Sequence, residues 1–280
     1  MNHLDSISQI FVPTDFSEDS RNAMRSALEF AGKHNASLTM AYVIEPIYNF
    51  ASEVQKITEQ LEQKANERFD EIISEAVKMG FEKERLYGVV LHGKVTLSLL
   101  QEIERRDPDL VVMGSKGQTG LKKVIFGSVA ETLMLRSASP VIVIPKNVKN
   151  PSFSRVLFTT AFHQNDAGNL EDLRSFLKPF DSDIRLIHVA PEPDFEIDIK
   201  IRGFSDILKS ELVLEKKPRI DVVYSDKLLN GIIKYAGENR MELIVINRYT
   251  KGLLESLFGL GRTHELIHIN DFPILVLTDD

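Results

Sequence analysis

The chain contains no cysteine among its 280 residues. Disulfides, thiolate nucleophiles and cysteine-ligated zinc are thereby excluded, and the usage fits a reducing compartment. No apolar run approaches the roughly 18 residues that a membrane helix requires. The opening residues, Met1-Asn2-His3-Leu4-Asp5, form neither a basic nor an apolar targeting segment, so the expectation is a cytoplasmic protein with no membrane partner. Basic charge is also in deficit: 34 Lys and Arg stand against 41 Asp and Glu, a net charge of −7, which disfavours broad contact with nucleic acid phosphates. His-Glu-x-x-His, Gly-x-Ser-x-Gly and Asp-rich calcium loops are missing, so the common hydrolase and metal signatures find no support. What remains, with 43% hydrophobic and 27% charged residues, is an ordinary folded composition long enough for two domains.

The second half of the chain replays the first. Ile10-Phe11-Val12-Pro13-Thr14-Asp15-Phe16 aligns with Val156-Leu157-Phe158-Thr159-Thr160-Ala161-Phe162 at an offset of 146, and Tyr42-Val43 with His188-Val189 at the same offset. After a deletion of 13 residues the offset is 133, which matches Val89-Val90 with Val222-Val223, Lys94 with Lys227, and Pro140-Val141-Ile142-Val143 with Pro273-Ile274-Leu275-Val276. An ordered series in constant frame indicates duplication. The polar stretch from Lys146 to Ser152, with Asn and Pro, reads as a linker, giving domains over 1–146 and 151–280.

Each copy carries short, continuous, branched apolar runs such as Leu110-Val111-Val112-Met113 and Leu243-Ile244-Val245-Ile246, the pattern of strands buried on both faces. Helical spacing appears between them, in Val54, Ile57, Leu61, Ala65, Phe69, Ile72 and Ala76 and again in Leu170, Leu173 and Leu177. Alternating strands and helices predict an α/β fold: two tandem doubly wound domains, each with about five parallel strands flanked by helices. In such sheets ligands bind beyond the carboxyl ends of the strands.

At those ends the first copy offers two features. Pro13-Thr14-Asp15 closes the first strand, and Ser17 with Glu18 and Asp19 forms a helix start. Asp15 either accepts hydrogen bonds from a ligand or caps a turn, and the two readings weigh evenly. The fourth strand runs into Gly114-Ser115-Lys116-Gly117, followed by Gly127-Ser128 at the head of another helix. A glycine-rich loop leading to a helix N-terminus is an anion cradle, although it is neither Gly-x-x-x-x-Gly-Lys-[Ser/Thr] nor Gly-x-Gly-x-x-Gly. Gly117 is expected to need a positive φ. Lys116, Lys122 and Lys123 read as a solvated loop face. His92 ends the third strand near the expected pocket, and His264 with His268 fits an exposed helix face better than a metal pair.

Gly114, Gly117, Gly127 and Ser128 match Gly-x2-Gly-x9-Gly-[Ser/Thr], and with the duplication the chain resembles the universal stress proteins in their tandem two-domain form. The resemblance implies an adenine nucleotide, ATP with or without Mg2+, whose base lies near Pro13, Thr14, Asp15 and Val43. It implies that Gly114 and Gly117 approach the ribose and phosphates, that Gly127, Ser128 and Val129 hold the triphosphate, and that Met113 lines the pocket. It also implies an intramolecular pseudo-dimer formed through the apolar end strands, with a further homodimer and an unidentified protein partner left open. In the second copy Asp15 becomes Ala161, Gly114 becomes Asn247, Gly117 falls at Tyr249 or Thr250, and Gly127-Ser128 becomes Gly259-Leu260, so ATP is expected in the first copy only. The leading expectation is a nucleotide-dependent sensor or binding module in stress response, with no catalytic residue assigned. Two alternatives stay open: slow ATP hydrolysis or nucleotidyl transfer at the same site, and a scaffold whose second copy holds another small or apolar ligand. Phe195, Ile197, Ile199 and Ile201, which alternate with charged residues as in an edge strand, are the candidate surface for the latter.

Overall fold

The structure, a computed structural model, describes residue 4 and residues 6–46, 51–117, 126–211, 219–250 and 271–278. Two compact units meet in sequence between Lys146 and Asn147. The N-terminal unit runs β1 (Gln9–Pro13), α1 (Glu18–His34), β2 (Ser37–Ile44), α2 (Ala51–Lys78), β3 (Leu86–His92), α3 (Val95–Arg106), β4 (Leu110–Gly114), α4 (Ser128–Arg136) and β5 (Val141–Ile144). Its strands lie in the order β3-β2-β1-β4-β5, and every pairing is parallel. The C-terminal unit has β6 (Arg155–Thr159), α5 (Asp166–Leu177), β7 (Asp183–Ala190), α6 (Phe195–Glu211), β8 (Ile220–Tyr224), α7 (Leu228–Glu238), β9 (Leu243–Asn247) and β10 (Ile274–Leu277). Its order, β10-β9-β6-β7-β8, repeats the same winding with parallel pairs throughout. The expected class, tandem doubly wound α/β, is borne out.

The central strands are apolar because both faces are covered. All residues of β4, β5, β9 and β10 are buried. α1 lays Ala23, Ala27, Phe30 and Ala31 on the sheet, none of them accessible; small residues there let the helix axis come close. Its start is capped by Ser17, whose side chain accepts from Ser20 N, with Glu18 and Asp19 in the first turn, and it stops at Asn35, whose φ of 58° is left-handed. α6 overturns one expectation: Phe195 to Ile201 is helix, not edge strand. The residues that turn inward are Ile197, Ile201, Phe204 and Leu208, a 4-3-4 spacing that becomes visible only when the window extends past Ile201.

One device recurs at the opposite end of the sheet in each unit. Asp109, just before β4, accepts through Oδ2 from Ser8 N at 2.7 Å, Ser8 Oγ at 2.8 Å and Gln9 N at 2.8 Å, tying β4 to β1. Glu242 stands at the matching place before β9 and accepts from Ser154 N at 2.8 Å and Ser152 Oγ at 2.5 Å. Burial opposes ionisation of Glu242, yet bonds from Ser152 and Ser154 and the charge of Arg155 outweigh it and hold its pKa below the usual carboxylate value. A depressed carboxylate pKa adds stability that is complete above the unfolded pKa and is lost as pH falls through the folded one. Asp109→Ala should therefore lower unfolding free energy by about 1–2 kcal/mol, since three donors lose a charged acceptor at a partly solvated place. Glu242→Gln should flatten the acid side of a plot of Tm against pH, and an unaltered acid limb would refute the assignment.

Candidate functional site

In each sheet the first strand has the second on one side and the fourth on the other, so the winding reverses between the first and the fourth and leaves a crevice above their carboxyl ends. In the N-terminal unit that crevice is a cleft of about 440 Å³, within the range of small-molecule sites. The ends of β1 and β2, the loop after β4 and the first turn of α4 converge on it. Pro13, Thr14, Asp15, Val43, Met113, Gly114, Gly117, Gly127, Ser128 and Val129 all line it.

The turn after β1 is built by two short side chains. Thr14 Oγ1 accepts from Phe16 N at 3.0 Å and donates to Ser20 Oγ at 3.1 Å, while Asp15 Oδ1 accepts from Ser17 N at 3.0 Å. Phe16 is thereby forced to a φ of 60°, unusual for a bulky residue, and its ring packs 5.1 Å from Tyr42 and 5.4 Å from Phe69. Asp15 does cap a turn, with one oxygen. The other lies 2.8 Å from where a Cβ on Gly117 would stand. Gly117 is therefore restricted by the carboxylate in front of it. Its φ lies outside the left-handed region, contrary to the expectation of a positive φ.

Gly114 has a different reason to be glycine. A Cβ there would come within 2.9 Å of the backbone carbon of Asp19 and 3.0 Å of its carbonyl oxygen, so the first turn of α1 rests directly on the end of β4. Asp19 is only 8% exposed. Burial raises its pKa, against the charge of Lys146, the backbone N–H of Lys116 that bonds to it, and the charge of Lys116. The loop is drawn together by Gly127 N donating to Ser115 O at 2.8 Å, and Gly127 brings no side chain to cap α4. Backbone N–H groups at a helix start, reached through glycine, suit an anion.

Other residues of the cleft were not singled out by sequence. Lys116, read as a loop-face residue, is half-buried and lines it, and Leu61, Val95 and Leu99 form an apolar wall. Leu61 belongs to the helical stripe of α2; the stripe carried no sign of which member would face a cleft. His92 does not line it; its Nε2 pairs with Glu62 at 2.9 Å. Lys122, Lys123, Gly252, Gly259, Leu260, Gly261, His264 and His268 lie outside the described residues, among which no cluster of three or more His, Asp or Glu could hold a metal. No helix among the described residues is long and apolar enough to cross a membrane.

A model of the universal stress protein family matches residues 7–145. The stress response protein NhaX of Bacillus subtilis is 30% identical over 160 residues, an alignment taking in 49% of this chain and 96% of that protein. The chain belongs to the universal stress protein family. A universal stress protein of Methanocaldococcus jannaschii is 29% identical over 145 residues, covering 50% of this chain and 84% of its own length. The crystal structure of a universal stress protein from Archaeoglobus fulgidus matches 99% of this chain and 98% of that one with a TM-score of 0.74 at 20% identity, a likeness of fold.

The C-terminal unit of this universal stress protein keeps the scaffold and places larger polar side chains at the matching strand ends. Thr160 and Phe162 repeat Thr14 and Phe16: Phe162 N donates to Thr160 Oγ1 at 2.9 Å, and the φ of Phe162 is 58°. Ser20, however, is replaced by Asp166, which is wholly buried. That carboxylate accepts from Thr160 Oγ1 at 2.5 Å, His163 N at 3.0 Å, Asn247 Nδ2 at 2.9 Å and the Tyr249 hydroxyl. Burial raises its pKa against the Thr160 hydroxyl and the backbone N–H and charge of His163. Asn247, in place of Gly114, also accepts from Asn169 Nδ2 at 2.8 Å, and Tyr249 stacks on His163 at 4.1 Å. The two kinds of glycine can be told apart by substitution. Gly114→Ala should destabilise the fold by about 1–3 kcal/mol through overpacking on Asp19. Gly127→Ala, whose Cβ would meet nothing nearer than 3.7 Å, should leave the denaturant midpoint nearly unchanged. Equal midpoints for both would disprove the distinction.

Proposed function

We propose that the protein is a cytoplasmic nucleotide-binding module of the stress response that holds one adenine nucleotide, ATP, in the cleft of its N-terminal unit. The observation that carries this reading is the convergence of three strand ends, a glycine-bordered loop and a helix start on a single cleft of about 440 Å³. Pro13, Thr14, Asp15 and Val43 would receive the base side of the ligand, and Gly114 and Gly117 would flank the ribose and phosphates. Gly127, Ser128 and Val129 would offer backbone N–H groups and a hydroxyl to the phosphates, with Lys116 as the nearby cation. Mg2+ would enter on the phosphates, because the described residues hold no metal cluster of their own. The nucleotide would favour one conformation of the chain and so alter contacts with a partner protein. Restriction to one site is supported by the strand ends of the C-terminal unit, where Asn247 and Tyr249 stand in place of glycines and both donate to Asp166.

Equilibrium dialysis with labelled ATP tests the reading. One equivalent should bind per chain, and Asp15→Ala should weaken binding by about 1–3 kcal/mol, roughly five- to 150-fold. Gly117→Val should lose nearly all binding, because its first side-chain carbon already meets Asp15 Oδ2. Two equivalents of similar affinity, or full binding by a folded Gly117→Val, would overturn it. Phosphate release measured on the same samples separates a holding site from a hydrolytic one.

A further inference from the structure

α6 carries apolar residues on two faces. One row turns inward, with Phe204 and Leu208 buried. The other points to solvent: Phe195, Ile199 and Ile207 are 76%, 54% and 44% exposed. Gly203 stands four residues from both isoleucines and completes that row. Among the described residues nothing requires glycine here, since a Cβ on Gly203 would meet none of their atoms within 4 Å and its φ is not left-handed. An interior helical glycine is nonetheless less stable than alanine.

We propose that this face is a contact between two copies of the chain, α6 packing antiparallel on α6 across a twofold axis through Gly203. A twofold at that residue opposes each position before it to the position equally far after it. Ile199 then meets Ile207 of the second copy, Lys200 meets Asp206, Glu196 meets Ser210 and Phe195 meets Glu211, so the two isoleucines face each other beside the crossing and no like charges are opposed. Rows of residues four apart are the ridges that interlock when helices cross, at axis separations of about 8–10 Å, and glycine at the crossing lets the backbones reach the short end of that range. Within one chain Lys200 lies 3.9 Å from Glu196 and Asp206 lies 2.8 Å from Lys209. Both are exposed pairs that exchange partners readily. The charges around the row alternate in sign, from Glu196 and Asp198 through Lys200 and Arg202 to Asp206 and Lys209. One pair, Lys200 with Asp206, is complementary on reversal, and the mixture of signs suits neither an anionic surface nor a partner of one sign. The contact is independent of the nucleotide reading.

Sedimentation equilibrium on the full chain provides the test. The wild type should show a reversible monomer–dimer equilibrium. Lys200→Glu and Asp206→Lys should each weaken the dimer by about tenfold or more through like-charge opposition, and the double exchange should restore it to near the wild-type value. Gly203→Leu should melt no lower than wild type yet dimerise at least about tenfold more weakly, and Ile199→Glu should abolish the dimer. A chain that stays monomeric at the highest attainable concentration overturns the proposal. So does a dimer indifferent to both single charge reversals or to Ile199→Glu, whose association would belong to another face.

Discussion

How closely the helix after the first strand can approach the end of the fourth decides what each unit can do at its crevice. In the N-terminal unit the approach is as tight as backbones allow: Gly114 has no room for a Cβ against Asp19. With α1 seated there, Asp19 is buried and takes the backbone N–H of Lys116, which sets the course of the chain toward Gly117. Gly117 in turn comes up to Asp15, and Gly127 is hooked to Ser115. The cleft thus results from one glycine-permitted contact, and its open space is what remains after that contact is satisfied.

The C-terminal unit shows the alternative. Asn247 fills the position of Gly114, and α5 begins at Asp166, the equivalent of Ser20, two residues later than α1 begins at Glu18. The space released is taken by Asn247, Asp166 and Tyr249, with His163 stacked outside. The turn after the strand keeps its threonine bond, though not the carboxylate of Asp15, and keeps a left-handed phenylalanine whose ring packs on the second strand, Phe16 on Tyr42 and Phe162 on His188. The strained turn therefore belongs to the scaffold. What differs between the units is the chemistry hung on it.

Much of this was legible in the residues because it depends on features that sequence carries directly. Strands buried on both faces must be continuous and branched, and a duplicated frame places the same strands twice, so the winding followed from Ile10, Val111, Val141 and their partners in the second copy. Six of the ten candidate residues, Pro13, Thr14, Asp15, Val43, Met113 and Gly114, lie at or just beyond strand ends, and topology alone brings such ends together. What escaped notice depends on three dimensions. Gly114 and Gly117 look alike in a motif, yet one yields to a backbone and the other to a carboxylate. Lys116 looked like a loop residue because no pattern tells which way such a loop folds. α6 was misread because Phe195 to Ile201 satisfies a period of two over seven residues, and the helical period emerges only with Phe204 and Leu208.

The cluster around Asp166 is also difficult to dismantle by single substitutions. Asp166 is buried and depends on the side chains of Thr160, Asn247 and Tyr249 and on the backbone N–H of His163; removing any one of those three side chains leaves a buried carboxylate short of a partner, which is more destabilising than the absence of the pair. Enlarging the space by shortening Asn247 therefore creates a poorly satisfied charge before it creates a site. Opening it would require Asp166 to become a small hydroxyl residue like Ser20, Asn247 to become glycine, and Ala161 to regain a carboxylate together. The N-terminal unit holds no buried carboxylate at that position: Ser20 stands in place of Asp166 and accepts from Thr14 Oγ1 at 3.1 Å, and Gly114 and Gly117 bring no side chains to bond it. The contrast between the strand ends of the two units on the same scaffold is thus a difference between two self-consistent sets of contacts, with destabilised intermediates between them.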